Sequence, residues 1–552
     1  MTSRPRDALA LLLAAGVLLA GCESGGGSAA GGSGAASGQG PVTAERLTIA
    51  LAKDSGPLNI FADQSPAIDE LVYDKLLAPS PYVDKPQPWL ATAARQLDPS
   101  TWEVDLRDGV RWQDGEPFDA TDVAFSFDYF KKAPTGTYTH HISDIPTIET
   151  ITALSPTQVR FSCAFPCPEL GTVTLADLPI IAEHIWASVP PDQAKAVTAL
   201  PVGTGPYRLV SYDRTAGYRF EANPDYFAGE PVVKELIMPV ISDPSATFTA
   251  LRSGEVDATT RPLSPELIDQ FTGSSDVGVV KTAPLRFPEL RINYDRPPFD
   301  QPAFRYALSR AVDRDQLLAI VGLGKGRRAD QGYPHPDAPF ANPSNSTPYA
   351  PKEAAAALDQ LGMRDADGDG VREGPDGPLS FAVSANGAAP LDLRSAELVA
   401  EDLREVGIGA QVEVLDAGSV ADLAKSRDFD MVIGAIGPHG VADPTQFIMS
   451  HRSGYLWRAP KLPYPEWDAL FGRWKATTTI QDRLGVLEEM QTLFNRQPTS
   501  IPLYYPDEYW AFQPDRFAGW VESPGYGIVH KWSLLPPLVG QDAGAVVAAD
   551  SS

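Results

Sequence analysis

The run Pro201–Asp257 reads PVGTGPYRLVSYDRTAGYRFEANPDYFAGEPVVKELIMPVISDPSATFTALRSGEVD. Gly203-Thr204-Gly205-Pro206-Tyr207 is a tight turn in which glycine permits the bend and Pro206 stiffens it. Two strand-like runs follow, Tyr207–Ser211 and Tyr218–Glu221, joined by a polar loop at Asp213–Gly217. Asn223-Pro224-Asp225-Tyr226 turns the chain again. Glu235–Ile241 reads as a third strand, and Ser245–Arg252 as a helix closed by Gly254. Taken piecemeal this is an ordinary α/β segment, and the turns alone name no function.

Taken whole and in order, the run resembles the extracytoplasmic solute-binding proteins of peptide-class ABC importers. That family, family 5, includes oligopeptide-, dipeptide- and nickel-binding proteins, in which a GTGPY turn, an NPDY turn and a helix ending in SGEVD follow one another. A second string, Leu106-Arg107-Asp108-Gly109-Val110-Arg111-Trp112-Gln113-Asp114-Gly115-Glu116-Pro117, resembles the family's "LR-x-GV-x-W-x-DG-x-P" segment. The family places it in an accessory domain, so the resemblance assigns Trp112 and Asp114 to structure. The strand Trp102–Leu106 precedes it. A helix follows, with Thr121 as its expected cap and Val123, Ala124 and Phe127 on its buried side. Leu285–Asp315 is similar to the segment that leaves the first lobe of these proteins and enters the second, with a helix at Gln301–Val312 and a structural role for Arg305.

The resemblance spans roughly residues 45–538. It implies an α/β fold, a two-lobed periplasmic-binding-type clamp (type II) with an additional small α/β domain. Lobe one combines 45–76, 196–285 and 500–538, the last opening on Ser500–Tyr505 as a strand returning to that lobe. The accessory domain is 77–195 and lobe two 286–499, and residues 539–552 form a tail without fixed structure.

Composition agrees with export. At 552 residues the chain is too long for one core. Its 45 basic and 71 acidic residues give a net charge of −26, which argues against nucleic acid as partner. Residues 1–22 read as a signal peptide: Arg4 and Arg6 precede an apolar Ala8–Ala20, too short to span a bilayer. The ending Leu19-Ala20-Gly21-Cys22 resembles the bacterial lipobox, which implies a lipidated Cys22 and attachment to the outer face of the cytoplasmic membrane by acyl chains alone. Residues 23–44, rich in Gly, Ser and Ala, form a flexible tether. With Cys22 committed, Cys163 and Cys167 are an even pair in an oxidising compartment, which points to a local disulfide more than to a metal site.

Further along, Ser65–Leu77 reads as a helix, as do Lys352–Leu361, Leu391–Val406 and Leu484–Phe494; Arg46–Ala52, Gln411–Leu415 and Phe429–Ile436 read as strands. His140 and His141 lack a third ligand at useful spacing. The loop Asp365–Asp376 is spaced like an EF-hand: Asp365, Asp367, Asp369, the Val371 carbonyl, Glu373 and Asp376, with Gly370 at the sixth position. It reads as a structural calcium loop or as a solvated acidic turn. Asp376 is shorter than the usual glutamate, and a strand follows where a helix would be expected. No cofactor is required.

No Gly-x-Ser-x-Gly, His-Glu-x-x-His or glycine-rich phosphate loop is present. The expectation is a binder, not an enzyme. Cleft candidates are His439, Gly440, Asp443, Tyr455, Trp457, Tyr504 and Trp510. Peptide binders of the family hold the ligand's α-amino group with an aspartate shortly before an Asp-Pro or Glu-Pro step. Here Asp443-Pro444 is that step, with Gly440 at the anchor position, or else the loop is shorter and Asp443 is itself the anchor. An ammonium in a dry cleft needs a paired carboxylate. The resemblance therefore implies a monomeric substrate-binding lipoprotein that delivers a peptide or peptide-like solute to an ABC permease and its ATPase subunits. A ligand sensor with a signalling partner, a carrier of a metal chelate or glycoconjugate, and a surface hydrolase remain as alternatives.

Overall fold

The computed structural model describes residues 40–62, 66–79, 86–134, 138, 147–282, 285–338, 340–437, 444–451, 464–523 and 526–536. The expected signal peptide with Cys22, nearly all of the tether, the His140–His141 pair and the tail at 539–552 lie outside these residues.

Lobe one is built on a seven-stranded mixed sheet. Its order is Gly278–Thr282, Glu508–Phe512, Ala258–Thr259, Ala44–Ala50, Val233–Met238, Gly217–Ala222 and Tyr207–Asp213. The opening stretch of sequence therefore supplies three adjacent strands, with Leu236 paired to Phe220 and Phe220 to Leu209, all three buried. Its helix runs Pro244–Ser253, with Asp243 accepting from the Ala246 N–H and Pro244 at the first helical position. Gly254 closes it at φ +74°, in the left-handed region that favours glycine.

The two turns of that stretch explain their own composition. Gly205 N–H donates to the Val72 carbonyl at 2.8 Å. A Cβ on Gly203 would stand 1.8 Å from that carbonyl oxygen, and one on Gly205 2.5 Å, so neither position admits a side chain. Gln113, from the second motif, fastens the turn from the other side: its amide donates to the carbonyls of Gly205 and Tyr207 and accepts from Gly203 N–H. Here the expected helix Ser65–Leu77 is shorter, Pro66–Val72, and Leu77–Ala78 is a strand. The Val72 carbonyl is given to the glycine turn, and the next residues turn inward.

What they turn toward is a buried polar knot. Asp74, fully buried, accepts from Trp89 Nε1 at 2.7 Å, Tyr226 Oη at 2.9 Å, Thr204 Oγ1 at 3.0 Å and Lys531 Nζ at 3.4 Å. The GTGPY threonine, the NPDY tyrosine and the C-terminal lysine thus meet on one carboxylate. Lys531 also sits 4.5 Å over the Trp89 ring.

The accessory region carries a four-stranded antiparallel sheet, Ala91–Asp98, Thr101–Leu106, Gln158–Cys163 and Ile148–Ser155, against the helix Ala120–Lys132. Asp119, not Thr121, caps that helix, in a capping box with Asp122. Trp112 is buried and donates to Asp122, and Asp114 pairs with His184 at 2.8 Å. Val104, Phe127 and Phe161 share one continuous core with Leu47, Leu236 and Phe220 of lobe one, so the accessory sheet is fused to that lobe. Cys163 and Cys167 are joined in a disulfide, Cα–Cα 6.4 Å.

Lobe two is a five-stranded sheet, ordered Gly409–Leu415, Ser380–Asn386, Met431–Ile436, Phe287–Ile292 and Ser500–Pro502. The helix Pro390–Glu405 connects the parallel pair Ser380–Asn386 and Gly409–Leu415 and buries Ala396, Val399 and Leu403 on them. Arg305 serves as a carbonyl clamp, donating to Pro498, Phe299 and Asp300 oxygens. A second core of Tyr333, Phe447, Trp467, Trp474, Met490 and Phe494 lies under the helices Pro465–Ala476 and Ile480–Arg496.

The boundary expected at residue 500 is corrected. Ser500–Pro502 pairs with Phe287–Ile292 (Glu289 opposite Pro502), and Ile501, Leu503 and Tyr504 belong to the lobe-two core. The chain rejoins lobe one only at Glu508, opposite Thr282. Hydrophobic alternation looks the same on either lobe; pairing register decides it.

Candidate ligand cleft

Two segments cross between the lobes: Thr282 to Phe287 going out, and Pro502 to Glu508 coming back. Two crossings joining two sheets are the construction of a hinged clamp.

Charged side chains from both lobes gather at the crossings. Glu508 opens the returning lobe-one strand. Arg286 immediately precedes the outgoing lobe-two strand. Asp392 stands in the first turn of the helix Pro390–Glu405. Crowding by protein pushes the Glu508 carboxyl up to about 7, against the opposing pull of Arg286 and a hydrogen bond from Trp510. Burial likewise raises Asp392, again opposed by Arg286. The Arg286 charge thus acts on both carboxyls, whose burial disfavours ionisation, and a bound cation or hydrogen-bond donor would favour their charged forms. Sequence reasoning missed all three, because residues 286, 392 and 508 come together only through the crossover topology. Arg286 and Glu508 stand at the starts of the two strands that flank the hinge, a position that by itself names no function.

Two sequence-predicted cleft aromatics prove to be packed. Tyr504 is 5% exposed within the lobe-two core, where burial and then the Asp392 charge raise its phenol. Trp510 is 8% exposed in the lobe-one core, its indole donating to Thr282 Oγ1 at 3.2 Å and its ring against Gly527. Both brace the crossings from inside. His439, Gly440, Asp443, Tyr455 and Trp457 lie outside the described residues. The start of their loop does not: Gly437 follows the strand Met431–Ile436, and a Cβ there would be 3.0 Å from Arg286 Cα. The predicted anchor loop therefore leaves lobe two beside the charged crossing.

The acidic loop forms as a compact turn away from these residues in sequence. Asp365, Asp367, Asp369 and Glu373 bring one carboxylate oxygen each within 4.8 Å of one another, the one such metal-capable group among the described residues. Their carboxylates accept from the backbone of Gly368, Asp369, Gly370, Val371 and Ala366. Asp376 is outside this group, in the tight turn between Glu373–Gly374 and Gly377–Pro378.

Comparison with known proteins gives a consistent result. The family described as bacterial extracellular solute-binding proteins, family 5 Middle, matches residues 85–456. The chain is 26% identical over 425 residues to di/tripeptide-binding protein 2 of Pseudomonas aeruginosa (strain UCBPP-PA14), covering 73% of this chain and 77% of that one. The oligopeptide-binding protein AppA of Bacillus subtilis, solved with a nonapeptide, superposes with a TM-score of 0.72 at 19% identity, over 86% of this chain and 97% of AppA. NikA of Brucella suis, solved with Fe(III)-EDTA, gives 0.75 at 24% identity, over 89% of this chain and 98% of NikA. At these identities the two structures establish the fold, an α/β clamp. Among the described residues no helix is long and apolar enough to cross a membrane.

Proposed function

Because the chain belongs to the bacterial extracellular solute-binding proteins of family 5, we propose that it captures a peptide or peptide-like solute between its lobes and delivers it to an ABC permease. The observation that carries this reading is the pair of crossings with charged groups of both lobes converging on them. Solute bridging the lobes favours the closed arrangement, and the closed form docks on the permease, whose ATPase subunits supply the energy. Nothing covalent is required of this chain, which works as a monomer. Cys22 carries the lipid, and the Gly/Ser/Ala run Ser24–Gly40 of the tether lets the body reach its membrane partner while attached, over roughly 20–25 Å.

Asp443 lines the cleft in this account and pairs with the ligand's ammonium. A second reading is favoured by the relatives: Fe(III)-EDTA in NikA and a nonapeptide in AppA show that one clamp fold holds both chelates and peptides. With Gly440 at the anchor position, the solute would be a chelate or another molecule without a free amine. Thermal-shift screening against di- to nonapeptides and against metal chelates separates the two. A peptide response that Asp443→Ala abolishes supports the amine anchor. A chelate response unaffected by Asp443→Ala supports the second reading. Independently, Asp365, Asp367, Asp369 and Glu373 hold a structural calcium ion. A calcium-dependent rise in melting temperature, absent in Asp367→Asn, is the expected result.

A further inference from the structure

The two lobes also touch where no chain segment crosses. Arg483, on the lobe-two helix Ile480–Arg496, pairs with Glu169 of the accessory region; their side chains are only 4% and 7% exposed. The same guanidinium donates to the Pro166 carbonyl at 2.6 Å and to Thr477 Oγ1 at 3.1 Å, and stacks 3.9 Å from the centroid of the Trp474 ring. Beside it, Lys475 lies over Phe165 at 5.8 Å, and Phe165 packs on the second core of lobe two.

The accessory side of this contact is a rigid arm. Phe165 and Pro166 lie inside the Cys163–Cys167 disulfide, and Glu169 comes two residues after it, beyond Pro168. Cys163 and Cys167 N–H donate to the Ser100 and Pro99 carbonyls, and Trp102 Nε1 donates to the Cys167 carbonyl at 3.0 Å. The accessory sheet in turn shares its core with lobe one. The arm must therefore move with lobe one, and Arg483 with lobe two.

We propose that the Glu169–Arg483 pair, presented on the disulfide-bounded loop, is a latch that holds the clamp closed. Glu169 and the Pro166 carbonyl meet Arg483 from the accessory side and Thr477 and Trp474 meet it from lobe two, so parting the two sides would rehydrate both charges. The latch would act on the open–closed equilibrium without touching solute. It should therefore set solute residence time while leaving selectivity among solutes unchanged.

This inference rests on the reading of the molecule as a hinged clamp. The test is a spin-label distance between Asp128→Cys on the exposed face of the accessory helix and Glu401→Cys on lobe two, in the full-length chain with Cys22→Ser. The latch predicts a mainly short distance in the parent protein and a longer population, raised at least 5-fold, in Arg483→Met and in Glu169→Gln. The double variant should add nothing to either single change. Arg483→Lys, which keeps the charge but loses the fork, should fall between and covers the case in which Arg483→Met does not fold. A lowered melting temperature with unchanged distances in all variants would make the pair merely structural and overturn the latch. A distance that shifts on adding a peptide digest but not on mutation would sink the latch and spare the hinge. A distance unmoved by both would count against the hinge reading as well.

Discussion

Lys531→Met tests the buried knot that ties the sequence motifs together. Lys531 is 1% exposed and Asp74 fully buried. The carboxylate keeps Trp89, Tyr226 and Thr204 as donors after the substitution but loses its cationic partner. Removing one partner of a buried ion pair costs about 3–5 kcal/mol, because the remaining charge stays desolvated. Removing one of the neutral donors, as in Tyr226→Phe, should cost less, about 1–3 kcal/mol. Urea unfolding followed by both fluorescence and circular dichroism gives the comparison, with coincident transitions required before energies are assigned. Asp74→Asn combined with Lys531→Met removes both charges and should recover part of the single-variant loss. A cost below about 1 kcal/mol for Lys531→Met, against the range expected for a buried pair, would refute the reasoning. So would a double variant as unstable as the sum of the two singles.

Asp402 is 3% exposed on the helix Pro390–Glu405 and accepts from Asp313 N–H; burial, ahead of the nearby carboxylates, pushes it up to about 7. The folded protein then holds a proton that the unfolded chain has released, so this residue makes stability fall as pH rises from about 4 to 7. Asp402→Asn should remove that slope and stabilise the protein at pH 8 by on the order of 3 kcal/mol; equal gains at pH 4 and pH 8 in melting curves would contradict it. His530 and His335 behave oppositely, both lowered to about 4 chiefly by burial. The unfolded chain binds protons there first, so their contribution is intact above about 6.5 and is lost as pH falls toward 4. His530→Gln should flatten the acid limb of a stability–pH profile, and an unchanged limb would exclude that role. Gly203→Ala, placing a methyl against the Val72 carbonyl, should cost about 3 kcal/mol or more by forcing backbone shifts; denaturant midpoints would show it.

What could be read from the sequence was local. The strands Tyr207–Asp213, Gly217–Ala222 and Val233–Met238 and the helix ending at Gly254 lay close to where turn chemistry and apolar spacing put them. The motif residues Thr204, Tyr226 and Gln113 were legible as a pattern but not as a mechanism. Their partners are Asp74 and the glycine-turn backbone, 90 to 152 residues away. Tyr504 and Trp510 read as cleft aromatics in the sequence because a binding wall and a core ask for the same side chains. Only burial separates the two uses. Arg286, Asp392 and Glu508 carry no spacing signal at all, since the hinge that unites them is formed by two crossings. Arg483 and Glu169, 314 residues apart, were invisible for the same reason.

The central claim is that the lobes close on a solute. Native mass spectrometry of the gently purified protein, paired with melting curves before and after solute removal, addresses it most directly. The account predicts bound masses that leave without breaking covalent bonds, and a loss of stability on stripping. That loss should approach about 2.7 kcal/mol for a solute held at 100 times its dissociation constant. A ladder of peptide masses would support Asp443 as the amine anchor, and one discrete non-peptide mass would support the Gly440 alignment. No bound mass, together with no thermal response to any peptide or chelate offered, would contradict the claim.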